Sequence, residues 1–301
     1  MNSKKLIKVI PQIFGGLGNQ LFIYASARRL ALVNNAELVL NDVSGFVRDY
    51  TYQRQYQLDH FHIPCRKATA AERLEPFSRV RRNLKHRVNR YISFEKRSYI
   101  KQDSLDFEPR LLKVKPYRNL YLEGYWQSED YFKDVEDVIR QDLRIHPPDD
   151  EKNQAMAKSI LSHTAVAIHV RFFDGPEENS VHNAPNDYYR CAIAEIEKRV
   201  PNAHYYLFSD NAKESRKRIP LADNRITVVA HNIGETNAYA DLWLMTQCQH
   251  FIIANSTFSW WGAWLANQRS KTVISPGAMV GRETAWGFNG LIPTSWIVFH
   301  V

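Results

Sequence analysis

Four clusters of polar residues sit at the ends of apolar runs, and their side chains suit a phosphorylated ligand. His169 and Arg171 end AVAIHV, Ser209-Asp210-Asn211 end AHYYLFS, His231-Asn232 follow ITVVA, and Asn255-Ser256-Thr257 follow HFIIA. An arginine is always charged and grips a phosphate through two parallel N–H bonds. Ser256 and Thr257 open a helical pattern, where free backbone N–H groups and the helix dipole favour an anion. Taken singly, each residue has a plainer reading: Ser256 or Thr257 as an N-cap, His169 as a satisfied core histidine, Asp210 as a turn residue. Their joint placement is the signal, because ligands of open parallel sheets bind beyond the carboxyl ends of the strands.

The elements that must position these residues follow from periodicity. Strands are predicted at 165–170, 203–209, 226–230, 250–254 and 272–275, with helices at 187–199, 235–247 and 257–266 between them. Such alternation implies a parallel sheet covered on both faces. The amino-terminal half opens as a strand at 6–13, a helix at 19–33 ending at Asn34-Asn35, and a second strand in AELVLN. The prolines and polar residues of HPPDDEKNQ (146–154) mark a linker, giving domains 1–150 and 151–301. The first turn, GGLGNQ, meets the dinucleotide pattern at Gly16 and Gly18 but carries Leu21 at the third small position and has no Walker lysine. Asp42 would be the ribose acid of that poorer reading. Asn19 and Gln20 instead offer neutral amides for a hydroxylated ligand or a phosphate edge.

The composition is that of an ordinary folded protein, with 301 residues, 44% hydrophobic and 24% charged. No apolar run approaches the ~20 residues that span a bilayer, and the start lacks a signal peptide's pattern, so a cytoplasmic location is expected. Cys65, Cys191 and Cys248 are odd in number and unpaired in spacing, which suggests neither a disulfide framework nor a zinc site. The net charge of +8 is concentrated: residues 79–101 hold nine Lys or Arg against the single acid Glu95. Val80, Leu84, Val88 and Ile92 recur there every fourth residue. That predicts a basic amphipathic helix, either packed on its domain through the stripe or lying on an anionic lipid surface. With the remainder balanced, nucleic acid is not the expected partner.

The segments GGLGNQLFIYA, GYWQSEDYF, HVRFFD, LFSDN, DLWLMTQCQHFIIANSTFSWWGAWLA and PTSWI occur in an order that resembles the α-1,2-fucosyltransferases of glycosyltransferase family 11, over nearly the whole chain. The resemblance implies an α/β glycosyltransferase-B fold, two Rossmann-like domains facing a central cleft. It implies inverting transfer of fucose from GDP-β-L-fucose to the 2-hydroxyl of a galactoside, in surface glycan or O-antigen synthesis. Arg171 then belongs on the β-phosphate, His169 near the nucleoside, Asp241 on the guanine edge, and Ser256 and Thr257 on phosphate, with Asn19 approaching the sugar-phosphate. Ser209, Asp210, Asn255 and Phe258 complete the donor set, while Tyr125, Trp126 and Gln127 fall on the acceptor side. Trp260, Trp261 and Trp264, at helical spacing, are expected mainly in the core.

Family members usually read H-V-R-R-G-D, whereas this chain has Phe172 and Phe173 before Asp174. A second cation is missing, for which Arg282 is one substitute. Asp174 is a candidate general base or an orienter of Arg171. The chain has no D-x-D, so a metal-independent reaction without cofactor is expected. The implied partners are GDP-fucose and a galactose-terminated oligosaccharide, lipid-linked if the basic segment holds the protein at the inner face of the membrane. A transferase of another linkage and a non-catalytic glycan-binding module are the alternatives.

Overall fold

The computed structural model describes residues 6–173, 175, 182–268, 270–280 and 285–300. The chain divides into two units: Met1–Arg144 with Asn289–Leu291, and Ile145–Phe288 with Ile292–Val301. The division thus lies six residues before the expected position 150, and the expected linker instead caps a helix of the second unit, where Asp150 accepts the N–H of Asn153.

The first unit is a parallel sheet of β1 (Lys8–Pro11), β2 (Glu37–Leu40), β3 (Arg66–Lys67), β4 (Tyr99–Lys101) and β5 (Leu120–Glu123), in the order β3-β2-β1-β5-β4. Helix α1 (Leu17–Val33) follows β1 after a turn at Gly15, whose φ of +77° favours glycine. Its residues Leu21–Ala27 are all buried, so it is a core helix rather than a surface one. It stops where foreseen, at Asn34, with Asn35 left-handed at φ 48°. Tyr24 and Arg28 of α1 hold Asp142 at 2.8 and 2.7 Å, tying down α3 (Glu136–Asp142).

The basic segment departs from expectation. Helix α2 spans only Ser78–Asn89, and the chain then turns into β4. The Asn89 side chain causes the stop: its Oδ1 accepts the backbone N–H of Ser98 at 2.7 Å and of Tyr99 at 3.2 Å, committing those residues to the sheet. Nor does the apolar stripe pack on the unit, since Val80, Leu84 and Val88 are exposed and only Asn89 of the helix is buried.

In the second unit α4 (Glu151–Leu161) precedes β6 (Ala165–Val170), α5 (Asn186–Arg199), β7 (His204–Ser209), α6 (Ala212–Arg218), β8 (Ile226–Val229), α7 (Ala238–Thr246), β9 (His250–Ile252), α8 (Thr257–Leu265), β10 (Val273–Pro276), the hairpin β11 (Met279–Val280) and β12 (Ala285–Trp286), and β13 (Ile297–Phe299). The six-stranded sheet is parallel with order β13-β10-β9-β6-β7-β8. This is the doubly wound Rossmann order, with its reversal between β6 and β9. Strand β6 is buried along its whole length, as a central strand covered on both faces must be.

Candidate active site

The reversal between β6 and β9 brings the expected polar clusters together. Because β8, β7, β6 and β9 are consecutive neighbours, the four strand ends form one continuous rim. Two buried tyrosines of α5 fix its backbone. Tyr188 donates to the carbonyls of Ile253 and Ile274 at 2.7 and 2.9 Å, and Tyr189 donates to that of His169 at 3.1 Å. These bonds add a side-chain donor to carbonyls of the sheet, that of Ile274 accepting the Ile253 N–H as well, and a buried hydroxyl left without its acceptor would cost about 1–3 kcal/mol. Sequence reading missed both tyrosines; their only signal is position, one turn into the helix that returns beneath the rim.

Arg171 stands just beyond β6, half-buried, with Nη1 3.0 Å from Asp210 Oδ2 and its guanidinium 5.6 Å above the Phe173 ring. Asp210 is itself held, its Oδ1 accepting the Phe172 N–H at 3.2 Å and the Ser209 hydroxyl at 3.4 Å. The two phenylalanines therefore have separate duties. Phe172 is buried with the Arg218 guanidinium 4.6 Å above its ring, and Phe173 supports Arg171. Asp174 and Arg282 lie outside the described residues.

Across the reversal, α8 begins without a side-chain cap: Ser256 is the N-cap residue, yet its hydroxyl bonds no backbone N–H of the first turn. That turn carries no acid either, so its dipole is uncompensated. Asn255 is buried, with Nδ2 donating to the His182 carbonyl at 2.8 Å and Oδ1 lacking a partner. His169 shares a 2.9 Å hydrogen bond with Ser259, whose hydroxyl donates to the Ser256 carbonyl, and its ring lies 5.5 Å from that of Phe258. His169 thus braces the start of α8. Trp260, Trp261 and Trp264 are all buried and stack among themselves, so the helix is anchored in the core.

Beyond β8 the site has a carboxyl of unusual character. Burial pushes Asp241 up to about 7, against the lowering effect of the hydrogen bond from Asn232 Nδ2 at 2.8 Å. Asn232 is in turn held by Asn153, which also meets His231 at 3.0 Å. This amide brace, drawn from α4, has no motif and was not foreseen. Among the described residues no group of three His, Cys, Asp or Glu side chains converges to hold a metal.

The first unit has its own strand-order reversal, between β1 and β5, and gathers a second cluster there. Gln127 donates to Asn19 Oδ1 at 2.7 Å, and the Tyr125 ring lies 4.6 Å from that of Phe14. Two expectations need correction. Gln20 is fully buried and engaged by the backbone, donating to the Gly15 and Gln55 carbonyls and accepting the Gln57 N–H, so it shapes the glycine loop without being open to a ligand. Trp126, placed on the acceptor side, is buried edge-on against Tyr131 and is a packing residue.

The profile of glycosyl transferase family 11 matches residues 8–279. The chain belongs to that family. Relatives within reach of this family 11 chain include an Escherichia coli alpha-1,2-colitosyltransferase, 27% identical over 96% of this chain and 98% of its own. Another is the Escherichia coli O-antigen biosynthesis glycosyltransferase WbnK, 28% identical over 87% and 91%. Among solved structures, an Arabidopsis thaliana FUT1 variant in complex with GDP has the same fold, with a TM-score of 0.55 at 15% identity over 98% of this chain and 77% of that one. The family 11 protein is a glycosyltransferase of the glycosyltransferase-B fold, built from two Rossmann-like units.

His169 gives the family 11 site a pH signature. Burial, reinforced by the Arg171 charge, pushes its imidazole down to about 3. Its folded value lies below the ordinary 6.5, so its contribution to stability is complete above pH 6.5 and is lost as pH falls towards 3. By pH 5 the loss from this one group is about 2 kcal/mol. In urea unfolding at pH 7 and pH 5, His169→Asn is expected to lose about that much less than the parent; equal losses would refute the buried neutral imidazole.

Proposed function

We propose that this glycosyltransferase moves L-fucose from GDP-β-L-fucose to the 2-hydroxyl of a galactoside with inversion, giving an α-1,2 linkage in a surface glycan such as O-antigen. The observation that carries the reading is the uncapped start of α8 beside Arg171 at the strand-order reversal. A diphosphate set there meets N–H groups, the helix dipole and a forked cation. Asp241 stands on α7, the helix that packs against α8, and is held there by Asn232 just past β8. Its carboxylate suits the N1–H and amino group of guanine; adenine has no such pair of donors.

In the reaction the bond from fucose C1 to the β-phosphate oxygen breaks and its electron pair leaves with GDP. Arg171 and the first turn of α8 stabilise that developing charge. Galactose O2 attacks C1 from the opposite face and its proton passes to a carboxylate, which we assign to Asp174. Asp210 and Phe173 keep Arg171 in place, and His169 positions α8. Asn255 offers its unpaired oxygen to the donor, and we assign Asn19, Tyr125 and Gln127 to the sugar end of the reaction.

The name of the colitosyltransferase relative supports a second donor reading, since colitose differs from L-fucose only in lacking the 3-hydroxyl. The deciding experiment incubates the purified chain with GDP-fucose or GDP-colitose and a panel of galactosides, with the product linkage read by NMR. Fucosyl transfer giving an α-1,2 product is expected, with most turnover retained in EDTA because the chain has no D-x-D motif to clamp a metal diphosphate. Transfer from GDP-colitose alone would establish the second reading. Strict dependence on manganese or magnesium would overturn the leaving-group assignment, and failure to bind GDP would leave a glycan-binding module.

A further inference from the structure

Helix α2 is amphipathic the wrong way round for a helix that packs on its own domain. Its inner face is polar: Lys85 Nζ lies 5.2 Å over the Tyr121 ring, His86 packs 6.1 Å from the Tyr99 ring, and Asn89 bonds the start of β4. Its outer face is apolar. Phe77, Val80, Leu84, Val88 and Tyr91 are 75%, 65%, 62%, 53% and 94% exposed; Val80, Leu84 and Val88, four residues apart, share one stripe of the helix, and Phe77 and Tyr91 stand just outside its two ends. Burying such a stripe is the ordinary outcome for a helix in water, so its exposure marks a surface meant for something else. Phe77 is also held at φ 66°, a conformation bulky residues rarely adopt, with its ring in solvent.

Cations flank the stripe. Arg79, Arg81, Arg87 and Arg90 are exposed, and no carboxylate among the described residues pairs with them. At the carboxyl end of the helix a cavity of about 390 Å³ is lined by His86, Arg90, Arg97 and Asp103, two guanidiniums and an imidazole against one acid.

We propose that this face docks on a bilayer containing anionic phospholipid, with α2 lying in the interface, the five apolar side chains among the upper acyl chains, and a lipid phosphate in the cavity. The charge pattern selects this occupant. A second copy of the chain would set one cationic face against another, and nucleic acid gains nothing from five apolar side chains. The helix is about 18 Å long at 1.5 Å per residue, and no described helix is long and apolar enough to cross a membrane, so the contact lies in the plane of the surface. The proposal is independent of which sugar is transferred.

The test is co-sedimentation of the full chain with phosphatidylcholine vesicles, with and without phosphatidylglycerol. Binding is expected only with the anionic lipid and should weaken as salt rises. Replacing Arg79, Arg81, Arg87 and Arg90 with Gln should reduce partitioning about fivefold per cation, several hundredfold together. Leu84→Ser should reduce it by about tenfold, because the leucine loses its apolar burial. All five positions are exposed, and unchanged thermal unfolding would show each variant folded. Inorganic phosphate should compete no better than chloride at equal ionic strength. The proposal fails if the parent ignores anionic vesicles, if Leu84→Ser binds as the parent does, if phosphate alone displaces the protein, or if RNA binds in preference to the vesicles.

Discussion

Arg171→Ala is expected to lower the rate of sugar transfer by about a hundred- to a thousandfold while leaving the fold intact. The leaving diphosphate gains charge as the C1–O bond lengthens, and losing one well-placed donor to such a charge costs roughly 3–4 kcal/mol of transition-state stabilisation. The side chain lies at the rim, half-exposed, so thermal unfolding should barely move. Arg171→Lys keeps the charge but loses the fork and the guanidinium's place over the Phe173 ring, and should remain far below the parent. Near-normal turnover in the alanine variant would remove Arg171 from the phosphate site.

Asp241→Asn is expected to weaken GDP binding by about a hundredfold, the ~3 kcal/mol of a charged hydrogen-bonding partner left without its match. The pH dependence separates this role from a structural one. With the carboxyl raised to about 7, the parent must shed a proton to accept from guanine, so its GDP affinity should rise about tenfold between pH 6 and pH 8. The asparagine variant should show a flat profile. The free protein should not suffer: a folded value above the ordinary one means that this carboxyl costs stability as pH rises from about 4 to 7, a cost asparagine removes. Calorimetry across pH checks both halves. Equal affinities, or the same slope in both proteins, would show that Asp241 does not touch the base.

Much of the second unit was legible because its strands are buried on both faces and its helices carry clear periodicity. AVAIHV is β6 residue for residue, and the polar clusters fall at the strand ends as expected. The first unit was harder to read. Its strands β3 and β4 are two and three residues long, too short for alternation to register. The four-residue recurrence through Ile92 suggested a longer α2, but one asparagine side chain satisfied two strand N–H groups and outweighed it. In the site, residue type and position at the strand ends brought Arg171 and Asp210 forward as candidates, and Asp241 came from the family resemblance. What holds them could not be read: the α5 tyrosines, Ser259 and the Asn153–Asn232 pair act across distances of dozens of residues, and each side chain is chemically unremarkable until the fold brings it near.

The open start of α8 has a consequence for descent within the family. A serine or aspartate that closes on the first-turn N–H groups adds about 1 kcal/mol to a helix, and Ser256 stands where such closure is one rotation or one substitution away. The protein forgoes that increment at the spot proposed for the donor's diphosphate, so on that reading selection for transfer and selection for robustness pull in opposite directions there. When the first relaxes, drift should favour the cap. A descendant chain that keeps the arginine, the tryptophans and the sheet but carries a closed acidic cap at this position would bear the mark of a lineage that has stopped using its donor, long before the fold betrays any loss.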